Sequence, residues 1–140
     1  MPPVGTVKGM SDNPKVWPTL VYKDGPAAIQ FLIDALGFEK VAAYPGEDEA
    51  SIAHAELRWP PGGGVMLSSG RNMDDAFGDL AGRVMSVYLV SDDPDGLFER
   101  ASAAGAEVIR PLRDEDYGSR GFSIRDPEGN LWSIGTYRGE

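Results

Sequence analysis

His54 and Glu56 are the residues whose types and spacing are best suited to moving a proton. Both lie in Ser51–Trp59, where Ala53, Ala55 and Leu57 alternate with Ile52, His54, Glu56 and Arg58. A period of two is the mark of a strand with one buried face. It sets imidazole and carboxylate side by side on the polar face, where the carboxylate can raise the proton affinity of the ring. Facing a cleft, such a pair can shuttle a proton at a substrate carbon or oxygen. Facing solvent, it is only a hydrogen bond along the sheet. Other chemistries find less support. The chain has no cysteine, which removes disulfides, thiolate-bound zinc and a thiol nucleophile together. Gly62-Gly63-Gly64 follows two prolines and precedes no helical pattern, so it is not a phosphate loop. No strand-to-helix nucleophile elbow occurs either.

An internal duplication supplies the elements that must carry these residues. Leu20-Val21-Tyr22-Lys23-Asp24 opens a strand-to-helix passage, and Leu89-Val90-Ser91-Asp92-Asp93 opens another 69 positions later. A proline follows each, Pro26 and Pro94, then a helical stretch, then Gly-x-Glu at Gly37 and Gly105. Asp24 and one of Asp92 and Asp93 are suited to capping the helix starts, with proline in the first turn, where its missing N–H costs nothing. Ile29, Leu32, Ile33 and Leu36 form one apolar stripe, and Leu97, Phe98, Ala101 and Ala104 form its counterpart. Gly37 and Gly105 suit the left-handed C-cap.

The remaining segments read as strands: Val16–Tyr22, Ser51–Trp59, Val65–Ser68, Val84–Val90, Gly121–Arg125 and Asn130–Tyr137. Asp126-Pro127-Glu128-Gly129 has the turn chemistry that joins the last two as a hairpin. The expected fold is α+β, with two tandem βαβββ modules forming a curved mixed sheet around a cleft and helices on the outer face. Residues 1–15 are expected to be a flexible lead-in, 16–70 the first module, 71–83 a linker and 84–140 the second module.

The formal net charge of -9 argues against a nucleic-acid partner, which needs clustered Lys and Arg, and equally against an anionic membrane surface. No apolar run approaches the length of a membrane span, and no hydrophobic signal core precedes Lys15. With no cysteine, a cytoplasmic location is expected.

Three stretches carry a family resemblance. Trp17-Pro18-Thr19-Leu20-Val21-Tyr22-Lys23-Asp24, the helix end Ala35-Leu36-Gly37-Phe38-Glu39, and Arg125-Asp126-Pro127-Glu128-Gly129-Asn130-Leu131-Trp132 resemble the vicinal oxygen chelate superfamily. This is the group of glyoxalases, bleomycin-resistance proteins and dioxygenases, and the likeness is greatest to its uncharacterised glyoxalase-like members. In metal-dependent members four cleft-facing positions hold a divalent ion through His, Gln and Glu. The corresponding positions here are Trp17, Glu56, Ser86 and Ser133. Of these only Glu56 is a good ligand, since hydroxyls are poor ligands for such ions and indole is none. No metal or other cofactor is therefore expected, unless an atypical site includes Glu56.

The same alignment with strand parity turns Trp17, Thr19, Ser86, Tyr88 and Ser133 inward, a set suited to a flat or ring-bearing organic ligand. Trp132 has the opposite parity and belongs to the core, while Trp59 fits either side. Tyr117 and Arg120 either close over the cleft, with Arg120 meeting an anionic group, or form a solvated turn in which Arg120 pairs with acidic neighbours. The function expected is binding of a small organic molecule. The alternative is a lyase or isomerase working through His54 and Glu56. The resemblance also implies a homodimer.

Overall fold

The computed structural model describes residues 14–48, 50–70 and 76–139. The expected lead-in, apart from Pro14 and Lys15, and the first part of the expected linker, 71–75, lie outside these residues. In chain order the elements are β1 (Thr19–Tyr22), α1 (Gly25–Phe31, continued by a wider helical turn over Leu32–Leu36), β2 (Glu39–Pro45), β3 (Ile52–Arg58) and β4 (Gly64–Ser69). A short 3₁₀ turn at Gly78–Leu80 leads to β5 (Ser86–Val90), α2 (Pro94–Ala103), β6 (Glu107–Asp114), β7 (Arg120–Arg125) and β8 (Leu131–Gly135).

The strands form two four-stranded mixed sheets ordered β1-β4-β3-β2 and β5-β8-β7-β6. In each sheet the first strand runs parallel to the fourth and the other neighbours are antiparallel. The chain is thus α+β, two copies of one βαβββ unit. No helix among the described residues is long and apolar enough to cross a membrane.

Both helices form where their punctuation places them. The Asp24 carboxylate accepts from the Ala27 N–H at 3.1 Å, and Asp93 rather than Asp92 accepts from Gly96 N–H at 3.0 Å. Gly37 adopts φ 84° and stops the first helix, a backbone conformation that costs a residue with a Cβ about 1 kcal/mol or more. The last hairpin closes as its sequence dictates, with Gly129 N–H donating to the Asp126 carbonyl at 2.9 Å.

One apolar core serves both modules. Leu20, Tyr22, Ala55, Leu57, Val65 and Leu67 of the first sheet join Leu89, Phe122, Ile124, Trp132 and Ile134 of the second. Phe38, just past α1, lies 5.0 Å from the Trp59 ring and 5.7 Å from that of Trp132. Trp59, which the sequence allowed on either side, is therefore core, and its indole N–H donates to the Val90 carbonyl at 3.0 Å. From α2, Arg100 donates to the carbonyls of Ile33 and Asp34 at 2.9 and 3.0 Å; the Ile33 carbonyl also accepts from Gly37 N–H, whereas that of Asp34 is one the end of α1 leaves open.

Polar contacts close the seam from the other side. Asp126 accepts from the Tyr22 hydroxyl at 2.7 Å and from the Trp132 indole N–H at 3.1 Å. Glu128 accepts from the backbone N–H groups of Lys23 and Asp24 at 2.7 and 2.8 Å. Because the apolar faces of both sheets share this core, their opposite faces turn away from it.

Candidate functional site

The outward face of the first sheet carries the His–Glu pair. Strand register aligns Thr19, Met66, Glu56 and Ala42 in a row across β1, β4, β3 and β2. His54 stands opposite Tyr44 on β2, and their rings stack with centroids 6.4 Å apart and 15° between planes. Nε2 of His54 lies 2.8 Å from Oε2 of Glu56, so with the proton on Nε2 the ring donates to the carboxylate. The side chains keep 42% and 31% of their surface exposed. Both can therefore be reached from outside, as proton transfer to a bound molecule requires.

Trp17 sits before β1 with its ring against Gly64, whose added Cβ would meet the indole at 2.8 Å. Its N–H donates to the Pro14 carbonyl. Trp17 and Glu56 line one depression of about 380 Å³ together with Lys40, Val41 and Arg58.

The outward face of the second sheet carries the hydroxyls and tyrosines. Here the row across β5, β8, β7 and β6 is Tyr88, Ser133, Ser123 and Arg110. The hydroxyls of Ser123 and Ser133 are 2.7 Å apart. The Tyr88 hydroxyl donates to the Tyr137 carbonyl at 2.7 Å, and burial raises the phenol above its ordinary pKa. Tyr117 meets Tyr137 edge to face at 6.1 Å. Tyr88, Tyr117, Ser133 and Ser123 line a second depression of about 190 Å³ that also takes in Arg110 and the Arg113–Glu115 pair.

The expected site residues thus fall into two groups, one on each sheet. Thr19, His54 and Glu56 share the first outward face, with Trp17 beside Glu56, and Tyr88, Tyr117 and Ser133 share the second. The depressions that hold Glu56 and Ser133 have no lining residue in common. Ser86 is exposed one row from Tyr88, opposite Leu131.

Arg120 is engaged by acidic side chains of its own chain. It spans Asp95 of α2, at 2.9 Å, and Asp114, at 3.3 Å. These two carboxylates hold its guanidinium more strongly protonated than usual and, from Arg120, the Asp95 carboxyl below its ordinary pKa.

Arg110 was missed by sequence reasoning. Parity along β6 would point to it, but the strand contains Pro111, and its register shifts between Val108 and Arg110 and again before Arg113. Alternation in the sequence is lost there.

The positions that resemblance makes metal ligands were tested on their donors. The Trp17 indole nitrogen is a donor with no lone pair to give. Ser133 is hydrogen-bonded to Ser123, Ser86 offers only a hydroxyl, and Glu56 is engaged by His54. Among the described residues no three His, Cys, Asp or Glu side chains gather as a metal site would require. This donor set does not fit a divalent ion.

Comparison with known proteins agrees with the fold. The family model described as the Glyoxalase/Bleomycin resistance protein/Dioxygenase superfamily matches residues 16–134. An uncharacterized protein of Mycobacterium tuberculosis strain H37Rv is 33% identical over 138 residues, which covers 94% of this chain and 79% of that one. Among solved structures, TioX from Micromonospora sp. ML1 superposes with a TM-score of 0.75 at 29% identity, over 90% of this chain and 100% of that one. The genomically encoded fosfomycin resistance protein FosX from Listeria monocytogenes, at 18% identity and a TM-score of 0.59, shares the fold alone over 87% of this chain and 90% of that one. With two βαβββ modules in place and the family model spanning both, the chain belongs to the Glyoxalase/Bleomycin resistance protein/Dioxygenase superfamily.

Proposed function

We propose that this protein binds a small, ring-bearing organic molecule in a cleft completed by a second copy of the chain. One observation carries the reading. The two modules present equivalent rows, Thr19–Met66–Glu56 and Tyr88–Ser133–Ser123, on faces that turn away from their common core. Each row lines half of a cleft. A two-fold dimer would set the first module of one copy over the second module of the other and generate two identical sites. Large apolar side chains left exposed on the sheets fit this arrangement: Val41 and Tyr44 on β2 and Tyr88 on β5. Tyr88, Tyr117 and Trp17 supply ring faces for stacking, and Ser133 and Thr19 supply hydroxyls for orientation. FosX, a fosfomycin resistance protein that shares the fold, has been seen in complex with manganese(II) and 1S,2S-dihydroxypropylphosphonic acid, and binding without turnover suits a site whose metal positions lack ligands. A chain without cysteine suits the reducing cytoplasm, where this reading places it.

Sedimentation at micromolar concentration tests the assembly. A dimer is expected, and a monomer would leave both half-clefts open and defeat the reading. Tryptophan fluorescence, reporting through Trp17, then screens planar aromatic compounds, and Tyr88→Ala should weaken every hit.

The short His54–Glu56 contact favours a second reading, a lyase or isomerase in which this pair moves a proton. Turnover that vanishes in Glu56→Gln while ligand affinity survives would establish it. Product formation unaffected by that substitution would remove it.

A further inference from the structure

We infer that the half-site on the second sheet selects an aromatic organic anion and that Arg110 is its charge anchor. The inference rests on the ligand-cleft reading above and adds the chemical class of the ligand.

The first ground is the state of Arg110. Most arginines near it are engaged: Arg113 by Glu115 at 2.7 Å, Arg125 by Glu107 at 2.9 Å, and Arg120 by Asp95 and Asp114. Arg110 has no carboxylate within ion-pair distance among the described residues. Its guanidinium is therefore available to a ligand, unlike those of its arginine neighbours on β6 and β7.

The second ground is placement. Arg110 pairs in register with Ser123 and closes the row that runs from Tyr88 through Ser133. Its depression holds two arginines against the single carboxylate of Glu115, so it is locally positive on a protein of net charge -9. Such a spot attracts an anion that the rest of the surface repels.

The third ground is the polarity of the hydrogen-bonding groups. When one of the Ser123 and Ser133 hydroxyls donates to the other, the acceptor keeps its own O–H free to donate outward. The Tyr88 hydroxyl is spent on the Tyr137 carbonyl, which leaves its ring rather than its oxygen to the ligand. The row therefore offers a ring face at one end, a hydroxyl donor in the middle and a guanidinium fork at the other. Its complement is a ring carrying a carboxylate or sulfonate, which the planar guanidinium meets with two parallel hydrogen bonds.

The test uses two fluorescent probes with one ring system. Anilinonaphthalene sulfonate carries an anion, and N-phenylnaphthylamine is its uncharged counterpart. Both are titrated into the full-length protein and three variants, with circular dichroism melting to show that each variant is folded. Arg110→Gln is expected to weaken the sulfonate about tenfold, or ~1.4 kcal/mol, and to leave the neutral probe unchanged. Arg125→Gln removes the same charge from a neighbouring strand outside the depression and should change neither. Tyr88→Ala should weaken both. Equal loss of the two probes in Arg110→Gln, or an equal effect of Arg125→Gln on the sulfonate, would reduce Arg110 to a structural or bulk-charge role and overturn the inference. Binding of both probes that ignores Tyr88→Ala would put them elsewhere and overturn it as well. If neither probe binds the native protein, the ligand-cleft reading itself falls, a result distinct from loss of charge selectivity alone.

Discussion

Replacing Asp126 by Asn should be among the most destabilising single-atom changes available to this chain. Asp126 is 4% exposed and collects five donors. Oδ1 accepts from the backbone N–H groups of Glu128 and Asn130, both at 3.0 Å. Oδ2 accepts from the Tyr22 hydroxyl, the Trp132 indole and the Asn130 side-chain amide. Asn has the same shape but replaces one acceptor oxygen with an NH₂ group. If that group takes the place of Oδ2, Tyr22 can rotate its hydroxyl to accept, but the indole and the amide are left facing another donor. In the place of Oδ1 it faces two backbone N–H groups. Either orientation strands two buried donors, each at a cost of about 1–3 kcal/mol, for a total near 4 kcal/mol. That is a large part of the whole stability of a domain this size, which is about 5–15 kcal/mol. Urea unfolding followed by tryptophan fluorescence measures it, with Tyr22→Phe as the reference. Tyr22→Phe removes one donor and strands none, so it should cost only about 1–2 kcal/mol. A loss below about 1 kcal/mol in Asp126→Asn would refute the claim that this carboxylate clamps the modules together.

Tyr22 also gives the protein an alkaline limit. Burial, and then the charge of Asp126, push its phenol well above the ordinary tyrosine pKa. Below a pH of about 10 the group is protonated in both folded and unfolded chains, and its contribution is constant. Above that only the unfolded chain releases the proton, so stability falls as pH rises, by up to ~1.4 kcal/mol per pH unit. Urea midpoints across that range should show the decline, and Tyr22→Phe should make it shallower; an unchanged slope would contradict the assignment. Arg100→Ala removes the donors to two carbonyls at the end of α1, one of them also held by Gly37 N–H, and is expected to cost about 1–2 kcal/mol in thermal melts, with Arg100→Lys recovering part of it.

The fold was legible because its punctuation is local. Asp24, Pro26 and Gly37 bound one helix, Asp93, Pro94 and Gly105 the other, and Asp126 to Gly129 the last hairpin. Each is decided by neighbours a few residues away, which a sequence displays directly. Parity likewise placed His54 beside Glu56, and the alignment with parity put Ser133 on the same face as Tyr88. Which faces meet was a different matter. That depends on Phe38 touching Trp59 and Trp132, and on Arg100 reaching Ile33, contacts between residues far apart in the chain with no local signature. Arg120 illustrates the limit. Its acidic neighbour Asp114 was visible in the sequence, but Asp95, its other partner, comes from a helix 25 positions upstream. Arg110 lay hidden behind the irregular register of an edge strand.

The Glu128 contact to the start of α1 has a consequence for synthesis. Its carboxylate covers N–H groups 105 and 104 positions earlier in the chain. At about 5–20 residues per second, translation separates the two by roughly 5–20 s. Over that interval the first module has left the ribosome without the second-module groups that cover its helix start, accept from Tyr22 and pack on Phe38. Contacts of such long range are late and slow to form. Completion of the first module therefore waits on the final hairpin of the second, and a chain stopped just short of Asp126 would present an open apolar face to whatever surrounds it.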